Sequence, residues 1–184
     1  MTAGNTGLPR RAVPAAFDVG AAAYDRMVGA NPGYHEHLRM SVHRMRIPDR
    51  GRGMRLLDAG CGTGASTAAL LAAAPKASIV AVDASEGMLR QARSKAWPES
   101  VRFVKGRIEE LADLGVEGPF DGILAAYLVR NLSDPVNLAG ELGGMLVLGY
   151  LWRWCDLSSA TRRAHVWKTG MLVPVPRRER LQKV

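Results

Sequence analysis

The chain has 184 residues, of which 47% are hydrophobic and 23% are charged, so it is long and apolar enough to form one soluble globular domain. It has no uninterrupted apolar run of about 18 residues and no apolar signal core, so we predict neither a membrane span nor secretion. Its two cysteines, Cys61 and Cys155, cannot form a disulfide framework, and we therefore expect a cytoplasmic protein.

The net charge of +8 is concentrated at the C-terminal end. Residues 150–184 hold eight Lys/Arg and two Asp/Glu, which leaves the rest of the chain close to neutral. Nucleic-acid-binding domains usually present a basic patch on a folded face. We therefore expect no nucleic-acid partner for the domain.

The first third of the chain predicts helices and loops. Residues 1–13 are small, polar and basic, and they predict disorder. Residues 15–45 carry helical patterns, which are broken near Asn31-Pro32-Gly33. Residues 48–53 form a loop that is rich in Arg and Gly.

From residue 54 onward, strand and helix patterns alternate. Strands are predicted at 54–59, 78–82, 101–104 and 122–127. Helices are predicted at 65–74 and at 85–95, the second with Ser85 as its N-cap, and a short helix or turn is predicted at 108–114. Alternating elements with continuous apolar strands predict an α/β fold, a Rossmann-like, doubly wound, mostly parallel sheet with helices on both faces.

The C-terminal third is less regular. It predicts a helix at 136–142, then a Gly-Gly turn and a fifth strand within 143–148. Beyond Tyr150 the pattern ends, and only 171–175 resembles a strand, which Pro174 weakens.

The most specific motif is Arg55-Leu56-Leu57-Asp58-Ala59-Gly60-Cys61-Gly62-Thr63-Gly64. An apolar strand ends in a carboxylate, and three alternating glycines then precede a helix. Glycines allow a sharp turn and a close approach of a ligand, because no Cβ intervenes. The amides of the helix start favour a polar or anionic group, whereas Asp58 favours a cationic one. An amino acid joined to a nucleoside meets both needs.

A dinucleotide-binding turn is the weaker alternative. Gly60, Gly62 and Ala65 also fit the G-x-G-x-x-G/A fingerprint. However, the carboxylate of Asp58 two residues before the first glycine would repel a pyrophosphate. A nicotinamide-dependent oxidoreductase is therefore disfavoured.

Further candidates follow the second strand. Asp83 comes 25 residues after Asp58, at a position from which a carboxylate can accept both hydroxyls of a ribose; the alternative is a cap of the helix that begins at Ser85. Met88 lies one turn into that helix. Its thioether can pack either on an adenine ring or in the core.

Gly106-Arg107-Ile108 follows the third strand. Arg107 has no acceptor for an adenine amino group, although its guanidinium plane can stack on the ring. The backbone of Ile108 is the remaining candidate at this edge, and a solvated surface position is the alternative for Arg107.

The histidines do not predict a metal site. His35 and His37 are two residues apart and point to different sides of a helix. No Cys or carboxylate cluster lies at ligand spacing, so we expect no metal. The nucleophile-elbow pattern of a hydrolase is also absent from the sequence.

Three segments carry a family resemblance. The glycine loop resembles the first motif of class I S-adenosylmethionine-dependent methyltransferases. The Arg130-Asn131-Leu132-Ser133-Asp134 run and the Phe17-Asp18…Tyr24-Asp25 pattern resemble the ubiquinone and menaquinone biosynthesis C-methyltransferases. The resemblance covers about residues 13–135.

The resemblance implies S-adenosylmethionine as the cofactor, bound by Tyr24, Asp58, Gly60, Gly62, Thr63, Gly64, Asp83, Met88, Arg107, Ile108 and Ala126. Tyr24 would belong to a lid over the cofactor, or else pack between helices. Ala126 stands where family members often carry a serine. Tyr127, Asn131 and His35 are the candidates for contacts with the methyl acceptor, and no catalytic base is identified.

We therefore expect methyl transfer to a small molecule, with C-methylation of a quinol or phenol as the finer hypothesis. A quinone-like acceptor would bring the protein into peripheral contact with a membrane. The sequence is compatible with an oligomer.

One departure from the family lies near the C-terminus. The family's Lys/Arg-Pro-Gly-Gly is reduced to Gly143-Gly144, and the helix and hairpin that complete the sheet have no recognised counterpart. We therefore expect a sheet that is incomplete at its C-terminal end. The predicted division is a disordered N-terminus (1–13), an S-adenosylmethionine-binding methyltransferase domain (14–149) and an atypical basic tail (150–184) from truncation or a frame shift. A fragment that is inactive or binds the cofactor weakly is the alternative.

Overall fold

A computed structural model describes residues 12–31, 33–128, 131, 142, 145–158 and 166–170, with 147–158 and 166–170 as backbone. The helices are α1 (Val13–Gly29), α2 (Tyr34–His43), α3 (Ala65–Ala73) and α4 (Glu86–Arg93). The strands are β1 (Arg55–Ala59), β2 (Ser78–Asp83), β3 (Val101–Lys105), β4 (Phe120–Ala126), β5 (Leu146–Ser158) and β6 (Val166–Gly170).

The strands form one sheet in the order β3-β2-β1-β4-β5-β6. Each neighbouring pair from β3 to β5 is parallel, and only β6 runs antiparallel to β5. The predicted α/β fold with a doubly wound, mostly parallel sheet is confirmed. The chain order reverses between β1 and β4, and ligands bind such sheets at this point.

Alternate strand residues build two separate cores. Leu56 and Ile79 pack with Leu70 of α3 and Val42 of α2 on one face of the sheet. Leu57 and its neighbours pack on the other face, against residues that follow β3 such as Ile108 and Leu111, and against Leu142. This alternation is what a strand with both faces covered requires.

The start of α4 was predicted correctly from the sequence. Ser85 is the N-cap, and its Oγ accepts a hydrogen bond from the amide of Met88 at 3.1 Å. At the N-terminus, α1 already begins at Val13, the last residue of the segment for which we expected disorder; residues 1–11 lie outside the described part. Most of the helix expected at 136–142 and the strand expected at 171–175 also lie outside it.

The C-terminal strands differ from the sequence expectation. β5 does not end near residue 148 but continues to Ser158, and β6 pairs with it antiparallel, with Cys155 opposite Thr169. The expectation that no hairpin follows was therefore wrong for residues 146–170. Gly149 explains the error, since a glycine inside a strand weakens its pattern and often marks a bulge. The register between β4 and β5 shifts in this region, from Phe120 opposite Leu146 to Gly122 opposite Leu151.

Candidate functional site

A cleft lies at the carboxyl ends of β1, β2 and β4, where parallel pairing gathers the ends of the strands. The cleft has about 940 Å³ of empty space, a figure that includes the open solvent at its mouth. Many of the predicted site residues line it: Tyr24, Gly60, Gly62, Thr63, Asp83, Met88, Arg107, Ile108, Ala126, Tyr127 and Asn131. Three predicted residues are not on its wall, namely Asp58, Gly64 and His35.

The glycines of the loop after β1 have different environments, although all three have positive φ. A Cβ on Gly60 would meet the side chain of Leu128 at 2.9 Å, and one on Gly64 would meet Trp97 at 2.8 Å. A Cβ on Gly62 would have no protein atom within 4 Å. Gly62 therefore offers open space at the cleft, whereas Gly60 and Gly64 are limited by packing against protein.

Asp58 lies beneath the loop and not on the cleft wall. It is fully buried, and its Oδ2 accepts hydrogen bonds from Ser66 Oγ at 2.8 Å and Thr67 Oγ1 at 2.6 Å. Its Oδ1 is buried without a hydrogen-bond partner in the described part of the chain. Burial raises the pKa of Asp58 to about 6, the two hydroxyls oppose this rise, and the charge of Asp83 adds to it.

Asp83 caps the start of α4, and it also lines the cleft. Its Oδ2 accepts from the amide of Gly62 at 2.8 Å, and its Oδ1 accepts from the amide of Ser85 at 2.8 Å. The carboxylate thus ties the glycine loop to the start of α4 while it lines the cleft. Each oxygen keeps a second lone pair for a ligand hydroxyl. Burial raises the pKa of Asp83, although the two amides act against this shift.

Helix α1 covers the cleft, and two carboxylates attach it. Asp18 Oδ1 accepts from Ser85 Oγ at 2.6 Å and from the amide of Gly87 at 2.7 Å, at the first turn of α4. These bonds hold the pKa of Asp18 below its ordinary value. The same helix carries Phe17 and Tyr24 on the cleft wall.

The second carboxylate of α1 reaches the glycine loop. Asp25 accepts from Thr63 Oγ1 and pairs with Lys95 Nζ at 2.6 Å, and Lys95 also donates to the carbonyl of Thr63 at 2.8 Å. Sequence reasoning quoted Asp18 and Asp25 for the resemblance but assigned them no role. Their spacing of seven residues, two helical turns, was the available signal.

The other wall of the cleft is aromatic. The rings of Tyr34 and Tyr127 stack with centroids 5.2 Å apart and 16° between their planes. His37 Nδ1 lies 3.0 Å from Tyr127 Oη. Tyr127 has φ +58°, a left-handed conformation that is uncommon for a residue with a side chain.

In this region the structure places His37, and not the predicted His35, beside Tyr127. His35 is exposed, and its ring contacts the edge of Tyr34 at 5.2 Å. Tyr34 and His37 are three residues apart on α2 and so share the face that packs toward β4. This spacing could have identified His37 once the start of the helix was known.

The loop after β3 brings a charged pair to the cleft. Arg107 lines the cleft and pairs with Glu109 at 3.4 Å, beside the buried Ile108. After β4, the Asn131 side chain donates to the carbonyl of Tyr127 at 3.5 Å. Arg130 lies outside the described residues.

Within the part of the chain that the structure describes, no three His, Cys, Asp or Glu side chains come together as a metal site. None of the described helices is long and apolar enough to cross a membrane.

Comparisons with known proteins agree with this geometry. Residues 56–146 match the model of the methyltransferase domain family. The chain is 35% identical over 150 residues to a demethylmenaquinone methyltransferase of Clavibacter sepedonicus. This match covers 80% of this chain and 58% of that protein. It is 41% identical over 70 residues to a malonyl-[acyl-carrier protein] O-methyltransferase of Priestia megaterium, covering 38% of this chain and 24% of the relative.

A similar fold is present in the plantazolicin methyltransferase BpumL, solved in complex with a pentazolic desmethylPZN analogue and SAH. The TM-score is 0.61 at 18% identity, and the match covers 80% of this chain and 58% of that one. The chain thus spans little more than half the length of the Clavibacter relative and of BpumL, and its match covers 24% of the Priestia relative. Residues 56–146 therefore carry a methyltransferase domain that is similar to those of S-adenosylmethionine-dependent methyltransferases.

Proposed function

We propose that this protein transfers a methyl group from S-adenosylmethionine to a small-molecule acceptor. The observation that supports this most directly is the pairing of Gly62 and Asp83 at one point of the cleft. Gly62 leaves space for a ligand beside the backbone, and Asp83 offers carboxylate oxygens at the same place.

The residues present fit this cofactor. The unpartnered, buried Oδ1 of Asp58 provides a negative charge beneath the loop, which suits the ammonium end of an amino acid. Gly62 provides room above that charge. Asp83 suits the ribose hydroxyls, because a carboxylate can accept two of them.

When bound, S-adenosylmethionine supplies an electrophilic methyl group on a sulfonium. The protein's contribution is then mainly to position the acceptor in line with that methyl group, which can supply about 7–11 kcal/mol. Helix α1 lines one side of the cleft with Phe17 and Tyr24, while Tyr34 and Tyr127 line another side.

For the acceptor, we propose a planar phenol or quinol, methylated at carbon. The stacked pair Tyr34 and Tyr127 is suited to an aromatic ring, since aromatic side chains pack on one another in this offset geometry. The name of the Clavibacter relative supports the same class of acceptor. The Priestia relative is named for a different acceptor, so membership of the superfamily alone does not select one. A lipid-tailed quinol would require peripheral contact with a membrane.

Calorimetric titration tests the cofactor. We expect S-adenosylmethionine to bind the wild type and NAD or NADP not to bind. Binding of a nicotinamide cofactor alone would support the oxidoreductase alternative, and binding of neither would support the fragment alternative. Both results would contradict the proposal.

Asp83→Ala tests the site itself. The loss of two charge-assisted bonds to a ribose should weaken S-adenosylmethionine binding by about 1.5–3 kcal/mol or more. Since Asp83 also holds Gly62 and Ser85, we expect the melting temperature to fall as well. Asp83→Asn is the matched variant, because it keeps an acceptor for one of those amides. Unchanged affinity in a destabilised Asp83→Ala protein would make this carboxylate a structural cap only.

A further inference from the structure

We infer that Tyr127 and His37 form a proton-accepting pair, in which Tyr127 takes the hydroxyl proton of the methyl acceptor and passes its own proton to His37. This inference rests on the proposed function, because it needs a hydroxylated acceptor in the cleft. Tyr127 is then a catalytic residue, and His37 acts through it.

The geometry gives the two residues different access to the cleft. Tyr127 lines the wall, whereas His37 does not and is only 5% exposed. The 3.0 Å contact between His37 Nδ1 and Tyr127 Oη is therefore a path by which a proton can pass from the cleft to the imidazole. An acceptor can reach His37 from the cleft only through the phenol.

The backbone holds Tyr127 in place at an energetic cost. A φ of +58° at a residue with a side chain is unfavourable, and it persists only where the surroundings enforce it. Stacking on Tyr34 and the contact with His37 supply that enforcement. Strain of this kind at the end of a strand, on the wall of a cleft, is typical of functional positions.

His37 is suited to receive a proton at neutral pH because it is uncharged there. Burial lowers the pKa of His37, and the positive charge of Arg44 lowers it further. Among the residues whose side chains the structure describes, the titratable and charged groups near it include Arg44 at the end of α2, Tyr34 at its start, and Tyr127 after β4. With the imidazole hydrogen on Nε2, Nδ1 accepts the hydroxyl hydrogen of Tyr127.

The proton transfers balance as follows. The acceptor hydroxyl donates its proton to Tyr127 Oη while Tyr127 gives its own proton to His37 Nδ1. This leaves an acceptor phenolate, a neutral tyrosine and an imidazolium. The electron-rich ring carbon then bonds to the methyl group, and the electron pair of the broken bond stays on sulfur. The hydrogen on that ring carbon is lost as a proton to water, which restores the aromatic ring as a phenolate. The phenolate then takes a proton from Tyr127 Oη while His37 returns its proton to Tyr127, so the product is a neutral phenol and the pair is reset.

The alternative is that the contact only ties α2 to β4. Two substitutions separate these roles. Tyr127→Phe keeps the ring and removes the hydroxyl. His37→Asn places an amide near the position of Nδ1, so it can still accept the phenol hydrogen but cannot take up a proton. His43→Asn is the matched control, since His43 lies exposed on the same helix.

Nitrogen NMR of the imidazole tests the pair without any turnover. We expect His37 in the wild type at neutral pH to carry its hydrogen on Nε2 and none on Nδ1. In Tyr127→Phe the Nδ1 resonance should shift, because its hydrogen-bond donor is gone. A hydrogen on Nδ1 at neutral pH would overturn the inference, because that nitrogen could not accept a proton.

Kinetics with 1,4-dihydroxynaphthalene as the probe acceptor give the second test. We expect kcat to fall about 100-fold or more in Tyr127→Phe and His37→Asn, within the usual range for loss of a general base, with KM and S-adenosylmethionine affinity nearly unchanged. The wild-type kcat should rise with pH as His37 loses its proton, below an ordinary imidazole pKa of about 6.5. His37→Asn should lack this rise, and His43→Asn should retain it.

The outcomes separate this inference from the proposed function. Failure of the wild type to bind S-adenosylmethionine would refute the proposed function. Binding without methylation of the probe would refute the phenolic acceptor and the proton-accepting pair together. Methylation with wild-type kcat and an unchanged pH profile in His37→Asn would refute the pair alone and leave His37 as a structural contact.

Discussion

At the residue scale, the clearest distinction is between Gly62 and the other glycines of its loop. A side chain at Gly62 would project into open cleft space with no protein atom to displace. Gly62→Val should therefore abolish S-adenosylmethionine binding in calorimetry, because the branched side chain would occupy the ligand's volume.

Gly53→Val is the matched control. Gly53 also has positive φ and free space, but it lies exposed away from the cleft, so it carries the same backbone cost of roughly 1–2 kcal/mol. Binding by a folded Gly62→Val protein within about threefold of wild type would refute the assigned site.

The buried carboxyl of Asp58 makes stability depend on pH. Its pKa is raised to about 6 in the fold, from an ordinary value of 3.8, so the folded chain binds more protons than the unfolded chain between these values. The contribution of this carboxyl group to the free energy of unfolding is fully present below about pH 4. It is lost as the pH rises through about 6.

Asp58→Asn cannot ionise and so escapes this loss. Without cofactor, we expect it to melt at a higher temperature than wild type above pH 6 and to show a smaller difference below pH 4. Asp49→Asn, at an exposed carboxylate, serves as the control. A difference between Asp58→Asn and wild type that is the same at every pH would show that Asp58 does not titrate in this range.

At the element scale, the carboxylates of Asp18 and Asp25 attach α1 to α4 and to the glycine loop, and we predict that they hold this helix over the cleft. Asp25 is about half exposed, so its pairing with Lys95 contributes only about 0–1 kcal/mol, and one substitution alone should have little effect.

In a variant with both Asp18→Ala and Asp25→Ala, the helix loses its bonds to α4 and to the glycine loop. We expect trypsin to cut after the exposed Arg26 several-fold faster than in wild type, and S-adenosylmethionine to slow cleavage of the wild type. Asp113→Ala, also at an exposed carboxylate, is the control. Equal cleavage rates in the double variant and wild type would show that these carboxylates do not hold α1 in place.

Local sequence patterns predicted some elements of this fold, but they did not predict contacts between distant segments. The strands β1 to β4, the glycine loop and the Ser85 cap follow from periodicity and residue type, because each is determined by neighbours in sequence. Tyr127 was predicted as a site residue, but its contact with His37 was missed, because the two lie 90 residues apart and meet only when α2 packs near the end of β4. Asp58 was expected to face the ligand, yet Ser66 and Thr67 from the following helix cover one of its oxygens. The partners of Gly60 and Gly64 were likewise hidden, since Leu128 and Trp97 come from distant segments.

At the scale of the whole molecule, β5 and β6 determine whether the sheet extends past β4. The sequence predicted an atypical tail from residue 150, whereas the backbone places β5 between β4 and β6, with Trp154 opposite both Ala125 and Gly170.

Amides between two strands exchange more slowly than those on an edge strand, because opening them requires a larger unit to unfold. Hydrogen exchange should therefore show strong protection in β1 and β4, clear protection for residues 151–155, and weaker protection in β6 at the edge. The exposed loop residue Gly53 gives the unprotected reference within the same experiment. Exchange across 151–170 as fast as at that reference would contradict both strands and support the irregular basic tail, with β4 as the edge of the sheet beside the acceptor side of the cleft.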